Sequence, residues 1–213
     1  MSLQREHLSK TRRGIAILLP DIAMSPINPD YIKPLRHSLN HVGWATLSIE
    51  PPPQSLLNEA ASEEQSAYAK ALIERVNSAI AWGKKNNRYS VLIAQGRQMA
   101  YLIEAQVQQH LQPVNAVILL NAQPAYTQAS EELKLRYPDD QQQLSQQLTA
   151  LALPILDINQ TNRSESTAHL QLRDGLAKRQ QHKSYRQIRY LARKNYAPAT
   201  KSIYGWLTSI GLK

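Results

Sequence analysis

The chain has 213 residues, of which 42% are hydrophobic, and this length predicts one domain with a sizeable core. It has no cysteine, which excludes disulfides, thiolate nucleophiles and cysteine-ligated metals. Its net charge is +9, and no apolar run approaches the roughly 18 residues that would cross a bilayer.

Short apolar runs alternate with helical patterns along the sequence. The runs predict five buried strands, at 15–19, 44–49, 89–94, 116–120 and 155–158. The predicted helices are 30–42, 62–82, a helix directly after Gly96, pieces within 125–152 that Pro138 interrupts, 165–179 and a last helix from Pro198. Residues 185–192 fit either a strand or continued helix. Together these patterns predict a three-layer α/β/α sandwich with a mostly parallel sheet.

The domain boundaries follow from the same patterns. Residues 1–13 are polar and basic and lack the apolar segment of an export signal. We expect them to be disordered or to derive from an expression tag. Residues 14–213 are expected to form a single α/β domain.

The segment from Val91 to Ala100 has the pattern of a nucleophile elbow, a sharp turn between a buried strand and a helix. On the G-x-S-x-G form of this motif, Ala94 takes the first glycine position, Gly96 the serine position and Gln98 the last glycine position. Ligands of open α/β sheets bind at the carboxyl ends of the strands, so this loop is the first place to look for a site.

With this elbow, the chain resembles the α/β-hydrolase superfamily over most of residues 14–211. Residues 14–26 resemble its strand and oxyanion loop, 95–97 its elbow, and 154–162 its acid-bearing strand end. More narrowly, the chain resembles an uncharacterised hydrolase-like bacterial family, a domain of unknown function whose members are typically exported in gammaproteobacteria. The resemblance implies an α/β-hydrolase-like fold and a periplasmic location, with the cytoplasm as the alternative.

Departures from the hydrolase pattern bear on function. Gly96 has no side chain to act as nucleophile, and the segment 193–196, where the histidine should follow the last strand, contains none. Asp157 lies inside a predicted strand, earlier than the triad acid, and Asn162, nearer that position, cannot ionise. The Ser-His-Asp mechanism is therefore expected to be absent, and the sequence favours a protein that is not an enzyme.

Several polar residues fall at the carboxyl ends of the predicted strands and define a candidate ligand site. Arg97 places a guanidinium beside helix N–H groups that favour anions, or pairs with Asp21 or Glu50. Asp21 is a ligand contact, a catalytic acid or the cap of its own turn. The expected partner is a small anion, a sugar or a protein. The full set is Asp21, Gln95, Gly96, Arg97, Asn121 and Gln123.

Three functions remain open. The first is a non-catalytic ligand- or protein-binding domain of the bacterial envelope. The second is an esterase-like hydrolase that uses the carboxylate of Asp21 or Asp157 with a water molecule. The third is a basic module that binds an anionic partner through residues 163–213, which carry 11 Lys and Arg against 2 Asp and Glu. Tyr185, Tyr190 and Tyr196 lie among those arginines, but no nucleic-acid motif accompanies them, so nucleic acid is not expected.

No metal or cofactor is expected. His37 and His41 share one face of a predicted helix at a spacing that suits zinc, yet no H-E-x-x-H pattern surrounds them and a polar helix face explains both. No glycine-rich phosphate loop is present in the sequence.

Overall fold

The computed structural model describes residues 2–5, 12–22, 24–27, 32–57, 62–86, 89–124, 131–161, 167–191 and 197–213. Its strands are β1 (Ser2–Arg5), β2 (Gly14–Leu19), β3 (Trp44–Ile49), β4 (Tyr89–Gln95), β5 (Ala116–Leu120), β6 (Ile155–Thr161) and β7 (Tyr185–Leu191). Its helices are α1 (Ile32–His41), α2 (Ser62–Asn86), α3 (Gln98–Val107), α4 (Glu131–Ala150), α5 (Ala168–Arg179) and α6 (Ala197–Ser209), with a short 3-10 turn at Gln54–Leu57.

The strands form one seven-stranded sheet in the order β1-β3-β2-β4-β5-β6-β7. Six of them, β2 to β7, run parallel, and β1 pairs antiparallel with β3. The apolar strands β2 to β6 are buried because helices cover both faces of the sheet. The predicted three-layer fold with a mostly parallel sheet is confirmed.

The amino-terminal segment contributes more than the sequence predicted. Residues 2–5 form β1 and pair with β3 from Ser2↔Ile49 to Arg5↔Thr46, so the expectation of a disordered segment is wrong there. The physical reason is that β3 would otherwise present an unpaired row of backbone N–H and C=O groups. Residues 6–11 lie outside the described part of the chain.

The ambiguous segment 185–192 is a strand over Tyr185–Leu191. It pairs with β6 along its whole length, from Ile155↔Tyr185 to Thr161↔Leu191. A helix at this position would leave the backbone groups of β6 unpaired beside the core, and the ladder satisfies them.

Two helices differ from their predicted limits. Helix α4 continues through Pro138, which removes only one backbone donor, and the buried side chains of Leu144, Ser145 and Leu148 fix the turns that follow. Helix α2 continues through Gly83 instead of ending there. A Cβ atom at Gly83 would lie 2.7 Å from Cγ2 of Ile15, so this glycine serves the close approach of α2 to β2.

Two apolar cores lie on opposite faces of the sheet. One contains Tyr68, Leu72 and Val76 of α2 with Met99 of α3 and Leu148 of α4. The other contains side chains of α1 and α6, namely Leu35, Leu39, Ile203, Trp206 and Leu207. Alternate strand residues supply the two cores. The parallel pairing of β2 to β7 places the carboxyl ends of these strands at one edge of the sheet.

The packing of Gly83 against Ile15 generates a stability prediction. We expect Gly83→Ala to lower the free energy of unfolding by about 1–3 kcal/mol, because the added methyl group overlaps a fully buried, β-branched side chain. Urea unfolding followed by circular dichroism measures it.

The matched control is Gly205→Ala in α6. Gly205 is exposed with no atom within 4 Å of an added Cβ, so this change should stabilise the protein by about 0.5–1 kcal/mol. Equal effects of the two substitutions would contradict the packing argument.

Candidate functional site

The turn between β4 and α3 has the backbone conformation of an elbow. Gly96 has a φ of 61°, in the left-handed region that favours glycine. Its N–H donates to the carbonyl of Leu120 at 2.8 Å, and its own carbonyl accepts from the N–H of Gln123 at 3.2 Å. These bonds fix the turn against the end of β5, so the geometry depends on the sheet and not on a side chain at position 96.

The carboxyl group of Asp21 lies directly against Gly96. A Cβ atom built on Gly96 would be 2.2 Å from Cγ of Asp21 and 2.1 Å from its Oδ2. No side chain fits at position 96 while Asp21 stays where it is. The carboxylate of Asp21 therefore occupies the volume that a nucleophile would need at this corner.

Asp21 also binds the two backbone donors of the corner. Its Oδ1 accepts from the N–H of Ile22 at 2.8 Å and from the N–H of Arg97 at 2.9 Å. In hydrolases with a nucleophile elbow, the oxyanion hole consists of the N–H after the nucleophile and an N–H from the loop after a neighbouring strand. The N–H of Arg97 follows position 96, the N–H of Ile22 lies in the loop after β2, which pairs with β4, and the carboxylate of Asp21 accepts from both.

The environment of Asp21 acts on its protonation in two directions. Burial raises the pKa of this carboxyl above its ordinary value of 3.8, and this effect is the largest. The two backbone hydrogen bonds and the positive charge of Arg97 lower the pKa and oppose it in part. Asp21 is half-buried, so it is desolvated without being sealed from ligands.

The other predicted site residues separate into different roles. Gln123 is exposed and meets Gly96 only through its backbone. The side chain of Asn121 accepts from the N–H of Gln160 at 2.6 Å and so links β5 to β6. Gln95 is buried, and its Oε1 has no hydrogen-bond partner among the described residues. The structure thus brings Asp21, Gly96 and Arg97 together, whereas Asn121 and Gln95 serve the sheet edge around them.

Gln98 stands where the elbow motif has its last glycine, and its bulk is accommodated inside the core. Its Nε2 donates to the hydroxyl of Tyr68 at 2.8 Å. Burial raises the pKa of Tyr68 to about 12. The contact joins α3 to α2 beneath the turn, and nothing local in the sequence indicates it because the two residues are 30 positions apart.

Asp157 does not belong to this corner. Its side chain is fully buried and forms an ion pair of 3.3 Å with the buried Arg173. It also accepts from Nδ2 of Asn159 at 2.8 Å and from the hydroxyl of Tyr185 at 2.9 Å. Because water cannot reach this carboxylate, the hypothesis that Asp157 activates water is wrong. Sequence analysis missed Arg173, whose charge gave no sign of burial.

The structure also bears on the histidine pair, on metal ligands and on membrane-spanning helices. The rings of His37 and His41 lie with their centroids 4.7 Å apart and are tilted by 45° to each other. No group of three potential metal ligands occurs within the described ranges. Across the same part of the chain, no helix combines the length and hydrophobicity needed to span a membrane. The expected histidine and acid positions, 193–196 and Asn162, lie outside the described residues.

Solved esterases have the same fold. Est1E of Butyrivibrio proteoclasticus superimposes with a TM-score of 0.70 at 10% identity, over 100% of this chain and 94% of that one. A thermophilic esterase of Thermogutta terrifontis, Est2, gives 0.69 at 13% identity, over 99% of this chain and 89% of the other. The esterase domain of a Rhodothermus marinus protein gives 0.61 at 13% identity, over 98% and 92%. The chain therefore has an α/β-hydrolase-like fold.

The sequence itself matches one family. The model of the family described as "Protein of unknown function (DUF3530)" matches residues 1–64 and 53–208, and the chain belongs to this family. A comparison with curated proteins gave no match. The fold is thus that of esterases, and the family carries no assigned activity.

The contact between Asp21 and Gly96 predicts strong coupling between these two positions. We expect Gly96→Ser to destabilise the protein by about 2–4 kcal/mol, because the side chain meets the carboxylate and a left-handed φ. In an Asp21→Ala background the cost should fall to about 1 kcal/mol, the backbone contribution alone. A double-mutant cycle from urea unfolding measures the coupling, and additive effects would contradict the contact.

The raised pKa of Asp21 predicts the sign of a pH dependence. Between the pKa of the unfolded chain and the higher pKa of the folded one, the native state binds more protons, so stability falls as the pH rises. Relative to Asp21→Asn, the wild type should therefore gain stability as the pH is lowered from about 7 to 4. Urea unfolding of both proteins over this range tests it. A difference that changes in the opposite direction would mean that the hydrogen bonds outweigh burial.

Proposed function

We propose that this protein is a non-catalytic, ligand-binding domain with an α/β-hydrolase-like fold. One observation carries the proposal: the carboxyl group of Asp21 lies where a side chain of Gly96 would be, and it accepts both backbone N–H groups of the corner. Acyl transfer needs a nucleophile at this turn and vacant donors for the developing oxyanion. Here residue 96 carries no nucleophile, and both donors are already bound by Asp21.

A fixed carboxylate also opposes the charge that acyl transfer develops. An ester whose carbonyl approached Ile22 and Arg97 would place its developing negative charge on the same atoms that Asp21 already contacts. Like charges at such a distance in a desolvated corner repel strongly. The ionised form of Asp21 is therefore incompatible with an oxyanion in this hole.

The same geometry favours a polyhydroxylated, sugar-like ligand over a small anion. Oδ1 of Asp21 takes both backbone bonds, which leaves the lone pairs of Oδ2 for a hydroxyl donor. Arg97 is half-exposed beside it and can donate to a hydroxyl oxygen or ring oxygen. A small anion would instead compete with Asp21 for the same two N–H groups. Gln123, exposed at the rim, completes the proposed contact set.

An esterase-like hydrolase that uses a carboxylate and water is the second candidate. The half-buried Asp21, with its raised pKa, is the observation that favours it, since a desolvated carboxylate is a stronger base. Asp21 would have to leave the two N–H groups to serve as that base while they bind the substrate oxygen.

A place in the bacterial envelope is part of the proposal and is carried over from the family resemblance alone. Fractionation of cells that produce the protein from its native gene tests this location, with periplasmic release by osmotic shock as the expected result. Retention with the cytoplasmic fraction would overturn it.

The absence of catalysis is directly testable. We expect no hydrolysis of p-nitrophenyl acetate or butyrate above that of buffer, and no difference between the wild type and Asp21→Asn. Turnover that Asp21→Asn abolishes would favour the carboxylate-and-water hydrolase instead. Turnover that survives this substitution would overturn both mechanisms.

Ligand binding is measured by thermal shift against a panel of monosaccharides, disaccharides, acetate and phosphate, because a ligand that binds the native state stabilises it. Stabilisation by a sugar that Asp21→Asn and Arg97→Ala both remove is the expected result. Arg12→Ala, an exposed arginine on the amino-terminal side of β2, is the matched control. A shift that is equal in all variants would place the ligand elsewhere.

A further inference from the structure

Strand β7 ends the sheet, and its outer backbone groups are available for pairing. Its only neighbour in the strand order is β6, and no further strand pairs with it within the described ranges. The bond from the N–H of Ile155 to the carbonyl of Ser184 sets the alternation of the ladder. In a parallel ladder alternate residues bond to the same neighbour, so the N–H and C=O groups of Gln187 and Arg189 point away from the sheet.

Two exposed arginines lie on either side of this edge. Arg186 and Arg189 are three residues apart in a strand, so their side chains project from opposite faces of the sheet. Nε and one terminal nitrogen of Arg189 donate to Oε1 of Gln187, which holds its guanidinium along the strand with further N–H groups outward. Lys183, also exposed, precedes the strand. Within the described residues, the edge therefore combines the outward backbone groups of Gln187 and Arg189 with positive charge on both faces.

We infer that the β7 edge binds an extended, acidic segment of a partner protein, which adds to the sheet as an eighth strand. Main-chain hydrogen bonds to Gln187 and Arg189 would supply affinity, and acidic side chains opposite Arg186 and Arg189 would supply specificity. On the added strand, the two residues that lie opposite Arg186 and Arg189 are also three positions apart. The recognised segment thus carries two acidic residues at that spacing, one on each face.

Other occupants fit this edge less well. A second copy of the chain would bring two basic edges together, and like charges across a strand pair are destabilising. Single-stranded nucleic acid needs exposed aromatic rings on which bases stack. Both described tyrosines of β7 turn inward instead: the hydroxyl of Tyr185 donates to Asp157, and Tyr190 packs on the core and contacts the hydroxyl of Ser202.

The test uses a fluorescent eight-residue peptide of Thr and Val with Glu at its third and sixth positions, measured by anisotropy at about 0.15 M salt, where distant charges are screened. We expect saturable binding by the full chain. Arg186→Glu with Arg189→Glu should weaken it by about tenfold or more, and the milder pair Arg186→Gln with Arg189→Gln by less. Circular dichroism confirms that these surface variants fold.

Two controls separate strand addition from simple charge attraction. Lys84→Glu with Lys85→Glu makes the same change in net charge on α2, where both lysines are exposed, and should alter binding less than twofold. A peptide N-methylated at alternate residues keeps its charge but cannot donate to the edge, and it should lose binding. The inference would be overturned if the two charge reversals had equal effects, or if the N-methylated peptide bound as well as the unmodified one. It would also be overturned if the protein bound heparin or an oligonucleotide but did not bind the peptide.

Discussion

The corner at the carboxyl end of β4 depends on one contact, that of the Asp21 carboxylate with the backbone of Gly96 and Arg97. The contact spans 76 positions of sequence and ties the loop after β2 to the first turn of α3. It needs a residue without a side chain at 96, both because φ is 61° and because the carboxylate fills the adjacent volume. A carboxylate that accepts two backbone N–H groups at a helix start also has favourable electrostatics there. One interaction thus accounts for the glycine at position 96 and for the partners of the N–H groups of Ile22 and Arg97.

This arrangement separates the geometry of an elbow from its chemistry. The turn is held by bonds between backbone groups, from Gly96 to Leu120 and from Gln123 to Gly96, which require no particular side chain. Parallel strands that end at one edge will form such a turn wherever a strand passes sharply into a helix. The fold can therefore persist while the reacting groups are replaced. In this chain the group at the corner is the carboxyl of Asp21, which lies against Gly96 and accepts from the N–H groups of Ile22 and Arg97.

The sequence predicts the inner part of this molecule well and its edges poorly. Five inner strands are predictable because each is a mostly apolar run, the pattern that a sheet covered on both faces favours. The residues of β7 fit either a strand or continued helix, and only the pairing of β7 with β6 decides between them. Strand β1 is mostly polar and is specified by the free edge of β3, so no periodicity in its own residues could indicate it. The predicted end of α2 at Gly83 is wrong because a sequence does not distinguish a glycine required by packing from one that ends a helix.

The sequence also predicts only part of the candidate site. Asp21, Gly96 and Arg97 could be placed at one edge of the sheet from strand order, but their mutual contact could not be predicted, since nothing local specifies a partner 76 positions away. Asn121 lies at the same edge, and its bond to the N–H of Gln160 could not be predicted either, because an amide side chain can bond to any backbone group within reach.

A buried polar network joins the loop after β5 to β6, to α5 and to the first residue of β7. Asp157 on β6 accepts hydrogen bonds from Arg173 of α5 and Tyr185 of β7. Arg173 also donates to the carbonyl of Ala122 at 3.1 Å. The residue after Ala122 donates its N–H to Gly96, so the network reaches the corner itself. A fully buried ion pair adds little net stability against an apolar pair of similar volume, yet it tolerates only one arrangement of its partners. In this chain the pair joins α5 to β6, and Arg173 extends the contact to the loop beside Gly96. The chain therefore uses its strand-borne carboxylate, Asp157, to hold α5 and the start of β7 against β6, and the carboxylate of Asp21 to bind the backbone of the elbow.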